Sequence, residues 1–210
     1  MNLTNYLKIK DKIPFNVNIL AVSKGFKSHE IKIIHEIGQN DFGESKFQEA
    51  FEKQTILKEF KQIKWHFIGR IQSNKIRKIV QNFQYIHSVD SFEKLQKISS
   101  ISCEEKKTPS IMMQVKFSDD PTKGGFNPEL LLSKWKDIKA LKNIRLAGLM
   151  TINPKGLNSK ENLDLFKKCR SLADLLQLPD CSMGMSGDWE QAVEAGSTWL
   201  RLGSLIFGDR

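Results

Sequence analysis

The sequence predicts an α/β fold in which eight parallel β-strands alternate with α-helices and close into a single (β/α)8 TIM barrel. Short apolar runs, several of them rich in β-branched residues, alternate with longer stretches in which apolar residues recur at helical spacing. No linker rich in Pro, Gly or Ser divides these units. Such alternation requires a parallel sheet covered by helices, and eight units that use the whole chain favour closure over an open sheet. We therefore expect one domain over residues 1–210.

Each predicted strand is a short apolar run that ends at a polar or small residue. The runs are residues 17–23, 41–44, 65–69, 85–89, 111–117, 146–152, 181–186 and 199–202. Helical spacing predicts helices between them, over residues 31–37, 47–57, 74–80, 92–98, 131–138, 163–172 and 188–195. Gly38 ends the first of these helices. Asp188, with Gln191 three residues later, predicts a capping box at the start of the last one.

Composition excludes several classes of protein. With 40% apolar and 27% charged residues in 210 positions, the chain is neither disordered nor collagen-like. Its three cysteines, Cys103, Cys169 and Cys181, show neither a disulfide framework nor metal-ligand spacing. No apolar run is long enough to span a membrane, and the N-terminus lacks the apolar core of a secretion signal. We therefore expect a cytoplasmic protein with no metal site. We also expect it to be a monomer.

The net charge suggests a nucleic-acid-binding protein as one alternative. Thirty-three Lys+Arg against 24 Asp+Glu give 33 − 24 = +9, and the isoelectric point is near 9.4. The densest basic stretches, however, fall on predicted helices, interleaved with apolar residues and some acids. That pattern is typical of solvated helix surfaces, and no aromatic stacking platform accompanies it. We expect no specific binding of nucleic acid.

In barrels of this kind, functional residues lie at the carboxyl ends of the strands. Lys24 directly follows the most apolar predicted strand. A lysine amine among apolar neighbours can lose its proton and form a Schiff base with an aldehyde. The alternative is that Lys24 is one more solvated surface lysine.

Two segments near the C-terminus have the composition of an anion site. Ser186 and Gly187 lie where a strand gives way to a helix, and Gly203 and Ser204 follow the last strand. Free backbone N–H groups at such places bind phosphate, and barrels commonly bind it with their seventh and eighth loops. The alternative is that these small residues only form turns. Arg201, within the last apolar run, needs a partner, either a ligand or a structural ion pair.

Other polar residues within strands are interpreted as structural. His66 and His87 lie inside predicted strands without metal-ligand spacing, so we expect hydrogen-bonded core histidines. Four methionines are interpreted as core filling: Met112, Met113, Met183 and Met185.

Taken together and in order, eight short segments resemble a known family. They are residues 21–24, 42–44, 65–69, 72–75, 148–150, 182–188, 195–197 and 201–208. With these segments the chain resembles the pyridoxal phosphate homeostasis proteins, whose barrel is similar to the N-terminal domain of alanine racemase. The resemblance covers nearly the whole chain. One departure is Ser45, where the family usually has Asn.

The resemblance implies a cofactor and a set of residues that hold it. Pyridoxal 5′-phosphate (PLP) would be bound as a Schiff base on Lys24. Its phosphate would contact Ser186 and the backbone of Gly203 and Ser204, and Arg201 would face the pyridine nitrogen. No binding role is carried over to Ser45.

An arginine at the pyridine nitrogen leaves the ring a weak electron sink, and we find no strong candidate for a second base. We therefore expect a non-enzymatic protein of vitamin B6 homeostasis whose partners include PLP-dependent apoenzymes. The alternative is a small racemase-like enzyme that depends on PLP.

Overall fold

The computed structural model describes residues 3–118 and 124–208, and it places eight parallel strands in one closed barrel. The strands are β1 (Asn18–Val22), β2 (Asp41–Glu44), β3 (Lys64–Phe67), β4 (Tyr85–Val89), β5 (Ser110–Gln114), β6 (Arg145–Met150), β7 (Asp180–Ser182) and β8 (Trp199–Leu202). Each strand pairs with the next along the chain, and β8 closes the barrel against β1, with Leu20 opposite Arg201. The predicted fold class is confirmed, and all eight predicted strands are present.

Helices cover the outside of the barrel. They are α1 (Leu3–Lys12), α2 (Ser28–Glu36), α3 (Phe47–Ile56), α4 (Ile76–Asn82), α5 (Phe92–Glu104), α6 (Pro128–Ser133), α7 (Trp135–Ala140), α8 (Ser159–Leu175), α9 (Trp189–Glu194) and α10 (Ser204–Phe207). The helix predicted through 131–138 is two short helices, since Lys134 between them leaves helical geometry, with ψ near 0°. The sequence interpretation also missed α1 and α10, which lie against each other.

The apolar core has two layers. Most buried apolar side chains belong to a cluster between the strands and the helices, and Leu200 and Leu202 are part of it. A smaller cluster that includes Leu20, Met112 and Trp199 fills the barrel interior. Because side chains alternate along a strand, Arg201 points to the same side as Trp199, into the interior.

Two fully buried histidines occupy the barrel interior beside aromatic rings. The imidazole of His66 is stacked on the ring of Tyr85, with centroids 4.2 Å apart and 1° between the planes. The ring centroids of His87 and His66 are 5.1 Å apart, and the ring of Trp199 lies near both. Both histidines are hydrogen-bonded, which confirms their interpretation as core residues. Burial lowers the pKa of His66, and lowers that of His87 well below 6.5.

These two histidines predict a loss of stability in mild acid. Below pH 6.5 the unfolded chain protonates both imidazoles, whereas the folded chain keeps them neutral until the pH reaches their lowered pKa values. The unfolded state therefore binds more protons, and the free energy of unfolding falls as the pH is lowered, with a slope that approaches a limit of about 1.4 kcal/mol per pH unit for each imidazole. Urea titrations between neutral pH and about pH 5.5 measure this slope.

The variant His87→Gln is the control for this prediction, because it removes one of the two titrating rings. Its stability should fall with about half the slope of the wild type over the same range. Equal slopes in the two proteins would contradict the prediction.

Two findings concern membrane-spanning helices and metal sites. In the part of the chain that the structure describes, no helix is both long and apolar enough to cross a membrane. The same residues contain no group of three His, Cys, Asp or Glu side chains placed to hold a metal ion.

Candidate functional site

A cavity of about 460 Å³ opens at the carboxyl ends of the strands. Its volume lies in the range of small-molecule and cofactor sites. The five site residues predicted from the sequence all line it: Lys24, Ser186, Arg201, Gly203 and Ser204. The structure therefore brings the predicted set together from three loops and one strand. Their role in binding stays a prediction.

Lys24 follows β1 and is held by contacts to the residues on either side of it. The carbonyl oxygen of Ser23 accepts a hydrogen bond from Nζ of Lys53 at 2.8 Å, and the Ser23 hydroxyl donates to Oε1 of Glu44 at 2.7 Å. On the other side, the backbone N–H of Gly25 donates to Oε1 of Glu49. The backbone around Lys24 is thus fixed before and after the lysine, while its side chain faces the cavity.

The groups that hold this backbone form a buried ionic cluster of Glu44, Lys53 and Glu49. Nζ of Lys53 lies 2.7 Å from Oε1 of Glu44 and 2.6 Å from Oε1 of Glu49. Burial raises the pKa of Glu44, against the opposing effect of Lys53. Burial also acts to raise the pKa of Glu49, but hydrogen bonds from Lys53 and Gly25 outweigh it, so that this pKa is lowered. Lys53 is therefore the cation that compensates both carboxylates.

The sequence interpretation missed this ionic cluster, although α3 carries a signal of it. Ala50 and Leu57 are buried on one stripe of α3 and the turn that follows, and Lys53 lies between them at helical spacing. A lysine on the apolar stripe of a helix needs a buried acid as its partner.

Arg201 is 5% exposed and is held by carbonyl groups of the strand ends. Its Nη1 donates to the carbonyl oxygen of Ser182 at 2.5 Å and to the hydroxyl of Ser182 at 3.0 Å, and Nη2 donates to the carbonyl oxygen of Thr151 at 2.9 Å. Burial lowers its pKa to about 10, so the guanidinium stays a cation at neutral pH. Within the described part of the chain, residues 3–118 and 124–208, no carboxylate forms an ion pair with Arg201. The alternative that this guanidinium belongs to a structural ion pair is therefore not found among these residues.

Two loops offer unused backbone donors to the cavity. Among the described residues, no backbone hydrogen bond uses the N–H groups of Ser186, Gly187, Gly203 or Ser204. The predicted capping box is wrong, because the side chain of Asp188 does not cap α9. It accepts a hydrogen bond from the N–H of Met185 at 2.6 Å instead and so closes the loop that carries Ser186.

The rest of the cavity wall is mostly apolar. Val22, Ile68, Met150 and Ile152 line it. Met185 was expected to fill the core, and that expectation is wrong. This side chain is 38% exposed and lines the cavity, because it lies in a loop beyond the end of β7.

One glycine brings two strand ends together beside the cavity. A Cβ atom at Gly69 would lie 1.9 Å from the carbonyl oxygen of Ser45, so only glycine permits the ends of β2 and β3 to approach this closely. The lining residues that the structure describes do not include Ser45.

Comparison with known proteins shows the family of this chain. The family model described as "Alanine racemase, N-terminal domain" matches residues 3–210. A pyridoxal phosphate homeostasis protein of Synechocystis sp. is 41% identical over 211 residues, which cover 98% of this chain and 97% of that protein. One from Pseudomonas aeruginosa is 39% identical, over 94% of this chain and 86% of its own length. The chain belongs to the pyridoxal phosphate homeostasis protein family.

Solved structures agree with this family membership. PipY of Synechococcus elongatus, solved with PLP bound, superposes with a TM-score of 0.94 at 36% identity, covering 98% of this chain and 99% of PipY. An alanine racemase of Clostridium difficile, solved with cycloserine, superposes with a TM-score of 0.80 at 15% identity, covering 98% of this chain and 58% of the racemase. At that identity the racemase shares the fold alone with this pyridoxal phosphate homeostasis family member.

Proposed function

We propose that this protein binds PLP in the cavity at the carboxyl ends of the strands, attached as a Schiff base to Lys24, and serves intracellular PLP homeostasis. The observation that carries the proposal is the convergence of a primary amine, a buried cation and unused backbone N–H groups on one cavity. PLP presents an aldehyde, a pyridine nitrogen and a phosphate, and each has a counterpart among these groups.

The phosphate is assigned to the two loops with free donors. The hydroxyl of Ser186 and the backbone N–H groups of Gly203 and Ser204 supply hydrogen bonds without competing partners among the described residues. Backbone N–H groups of this kind bind phosphate well. The side chain of Asp188 keeps the first of these loops folded by accepting from the N–H of Met185.

The amine and the cation are assigned to the other two functional groups. When bound, PLP supplies an aldehyde that condenses with a primary amine and a ring that can withdraw electrons. The amine of Lys24 is positioned for the aldehyde by the fixed backbone of Ser23 and Gly25. Arg201 remains a cation and has no lone pair to offer, so it acts as a donor to the pyridine nitrogen and favours its unprotonated form.

We propose that the protein binds PLP without efficient turnover. Among the described residues that line the cavity, Lys24 and Arg201 are the ionisable ones, which leaves no second base opposite Lys24. Neither tyrosine of the chain can take that role. Tyr6 is buried in α1 and donates to Gln39, and Tyr85 stacks on His66 at the start of β4, away from the cavity.

The remaining parts of the proposal concern the protein as a whole. We propose that residues 1–210 form one domain, that the protein is a cytoplasmic monomer, and that PLP-dependent apoenzymes receive the cofactor from it. The three cysteines of the chain are free thiols, which supports a reducing compartment. The names of the relatives support a role in PLP homeostasis.

Reduction with borohydride tests the proposed attachment. The wild-type protein is mixed with PLP, reduced, digested and mapped by mass spectrometry. We expect the phosphopyridoxyl group on the peptide that contains Lys24, and not on Lys27, an exposed lysine three residues away. Labelling spread evenly over surface lysines, or concentrated at another lysine, would overturn the assignment.

A further inference from the structure

A continuous chain of hydrogen bonds crosses the barrel interior from Arg201 to Asp41. Nη1 of Arg201 lies 3.0 Å from Oγ of Ser182, and Oγ of Ser182 lies 3.0 Å from Nδ1 of His87. Nε2 of His87 lies 2.9 Å from Nδ1 of His66, and Nε2 of His66 lies 3.0 Å from Oδ1 of Asp41. The three central residues are fully buried or nearly so, and they come from β3, β4 and β7.

The carboxylate at one end and the neutral imidazoles between fix the direction of every bond in this chain. Asp41 as a carboxylate only accepts, so Nε2 of His66 carries its hydrogen and donates to Oδ1 of Asp41. A neutral imidazole that donates at Nε2 accepts at Nδ1, and Nε2 of His87 therefore donates to Nδ1 of His66. By the same reasoning Nδ1 of His87 accepts, so the hydroxyl of Ser182 directs its hydrogen there and its oxygen accepts from Arg201, which only donates.

This arrangement requires both imidazoles to be neutral, and their surroundings agree. Asp41, His87 and the ring of Tyr85 contact His66, and Lys64 is also close enough to disfavour its charged form. Around His87 are His66, Ser182, the edge of Trp199 and the cation of Arg201. Burial lowers the pKa of both imidazoles, and the charge of Arg201 acts in the same direction on His87.

We propose that Ser182, His87 and His66 form a directional relay that positions Arg201, with Asp41 as the terminal acceptor. The relay keeps Oγ of Ser182 an acceptor toward Arg201 and so directs the remaining N–H groups of the guanidinium to the cavity. Asp41 lies at the start of β2, at the opposite end of the barrel, where its side chain is 19% exposed. The relay thus runs from the buried guanidinium at the cavity to a carboxylate that water reaches at the far end of the barrel.

The first test needs no cofactor and does not depend on the proposed function. Nitrogen-15 NMR of the ligand-free protein reports which ring nitrogen carries the hydrogen, and the variants His66→Gln and His87→Gln assign the signals. We expect His66 and His87 both to be neutral with the hydrogen on Nε2, and exposed His29 provides a reference signal. A hydrogen on Nδ1 of either ring at neutral pH would overturn the relay.

The second test rests on the proposed function and reads the effect on Arg201. His87→Leu leaves the hydroxyl hydrogen of Ser182 and Nδ1 of His66 without partners. We expect PLP affinity to fall about tenfold, the equivalent of one buried polar group left unpaired. The visible absorbance maximum of bound PLP should shift as well. His87→Gln is the matched variant, because its carboxamide both accepts and donates, and we expect it to recover most of the affinity and the spectrum.

Ser182→Ala keeps the test decisive if His87→Leu does not fold. This change removes the hydroxyl alone and retains the carbonyl group that binds Arg201. We expect the same spectral shift as in His87→Leu. Wild-type affinity and spectrum in Ser182→Ala would overturn the relay, whereas absence of PLP binding by the wild-type protein would overturn the proposed function and leave the NMR test valid.

Discussion

Lys24→Ala protein mixed with PLP is expected to show none of the visible absorbance of a Schiff base and to yield no phosphopyridoxyl peptide after borohydride reduction. Among the described residues of the cavity wall, Lys24 supplies the primary amine, and the change removes it. The groups assigned to the phosphate and to the ring nitrogen remain, so PLP should still bind weakly and without a covalent bond. Because the Lys24 side chain is partly exposed, the free energy of unfolding should change by no more than about 0.5 kcal/mol.

Lys27→Ala is the matched control for this experiment. Lys27 is exposed at the N-cap of α2, and the N–H that it donates to Glu30 belongs to the backbone, which the change preserves. We expect this variant to show the absorbance and the reduced adduct of the wild type. A visible band that persists in Lys24→Ala would move the attachment to another lysine.

Lys53→Met is expected to lower the free energy of unfolding by about 3–5 kcal/mol. Methionine fills similar space but leaves Glu44, which is 0% exposed, without its cation. Oε2 of Glu44 already has no hydrogen-bond partner, so Oε1 would keep only the hydroxyl of Ser23. An isolated buried carboxylate is costly, and part of the loss should appear as a carboxyl group that protonates at higher pH. Urea denaturation at neutral pH measures the change.

Two further variants separate the ionic cluster from a general effect of lysine removal. Lys58→Met changes an exposed lysine just after α3 and should alter stability by no more than about 0.5 kcal/mol. The double variant Glu44→Gln with Lys53→Met removes both charges and should recover a large part of the loss. A loss in Lys53→Met no greater than in Lys58→Met would show that Lys53 does not compensate the buried carboxylates.

The fold followed from the sequence because its signals are local. Each strand is a continuous apolar run, and each covering helix shows its own spacing, so that counting the units predicted the closed barrel. The site residues were found through the same rule, since functional side chains lie at strand ends. Helix α1 was missed because its buried stripe, Tyr6, Ile9 and nearby Ile13, is narrow and surrounded by polar residues.

The contacts that no local pattern reveals are those between elements. His87 and Ser182 are 95 residues apart in the chain, and only the register of the closed barrel makes them neighbours. The sequence showed polar residues at inward positions of several strands, but it did not show which of these residues contact one another. For Asp188 the sequence predicted the right position, at the N-cap of α9, but the wrong hydrogen-bond partner. Its carboxylate accepts from the N–H of Met185 in the preceding loop and does not cap the helix that follows.

The pairing of β8 with β1 has a consequence for how the protein is made. It brings the amine of Lys24 and the guanidinium of Arg201 to one cavity, although 201 − 24 = 177 residues separate them. A nascent chain that has not yet emerged through β8 therefore has no complete cavity, whatever the state of its earlier strands. A ligand that occupies the cavity binds only the closed barrel and stabilises it by mass action. Supply of that ligand thus favours the state in which the first strand and the last are joined.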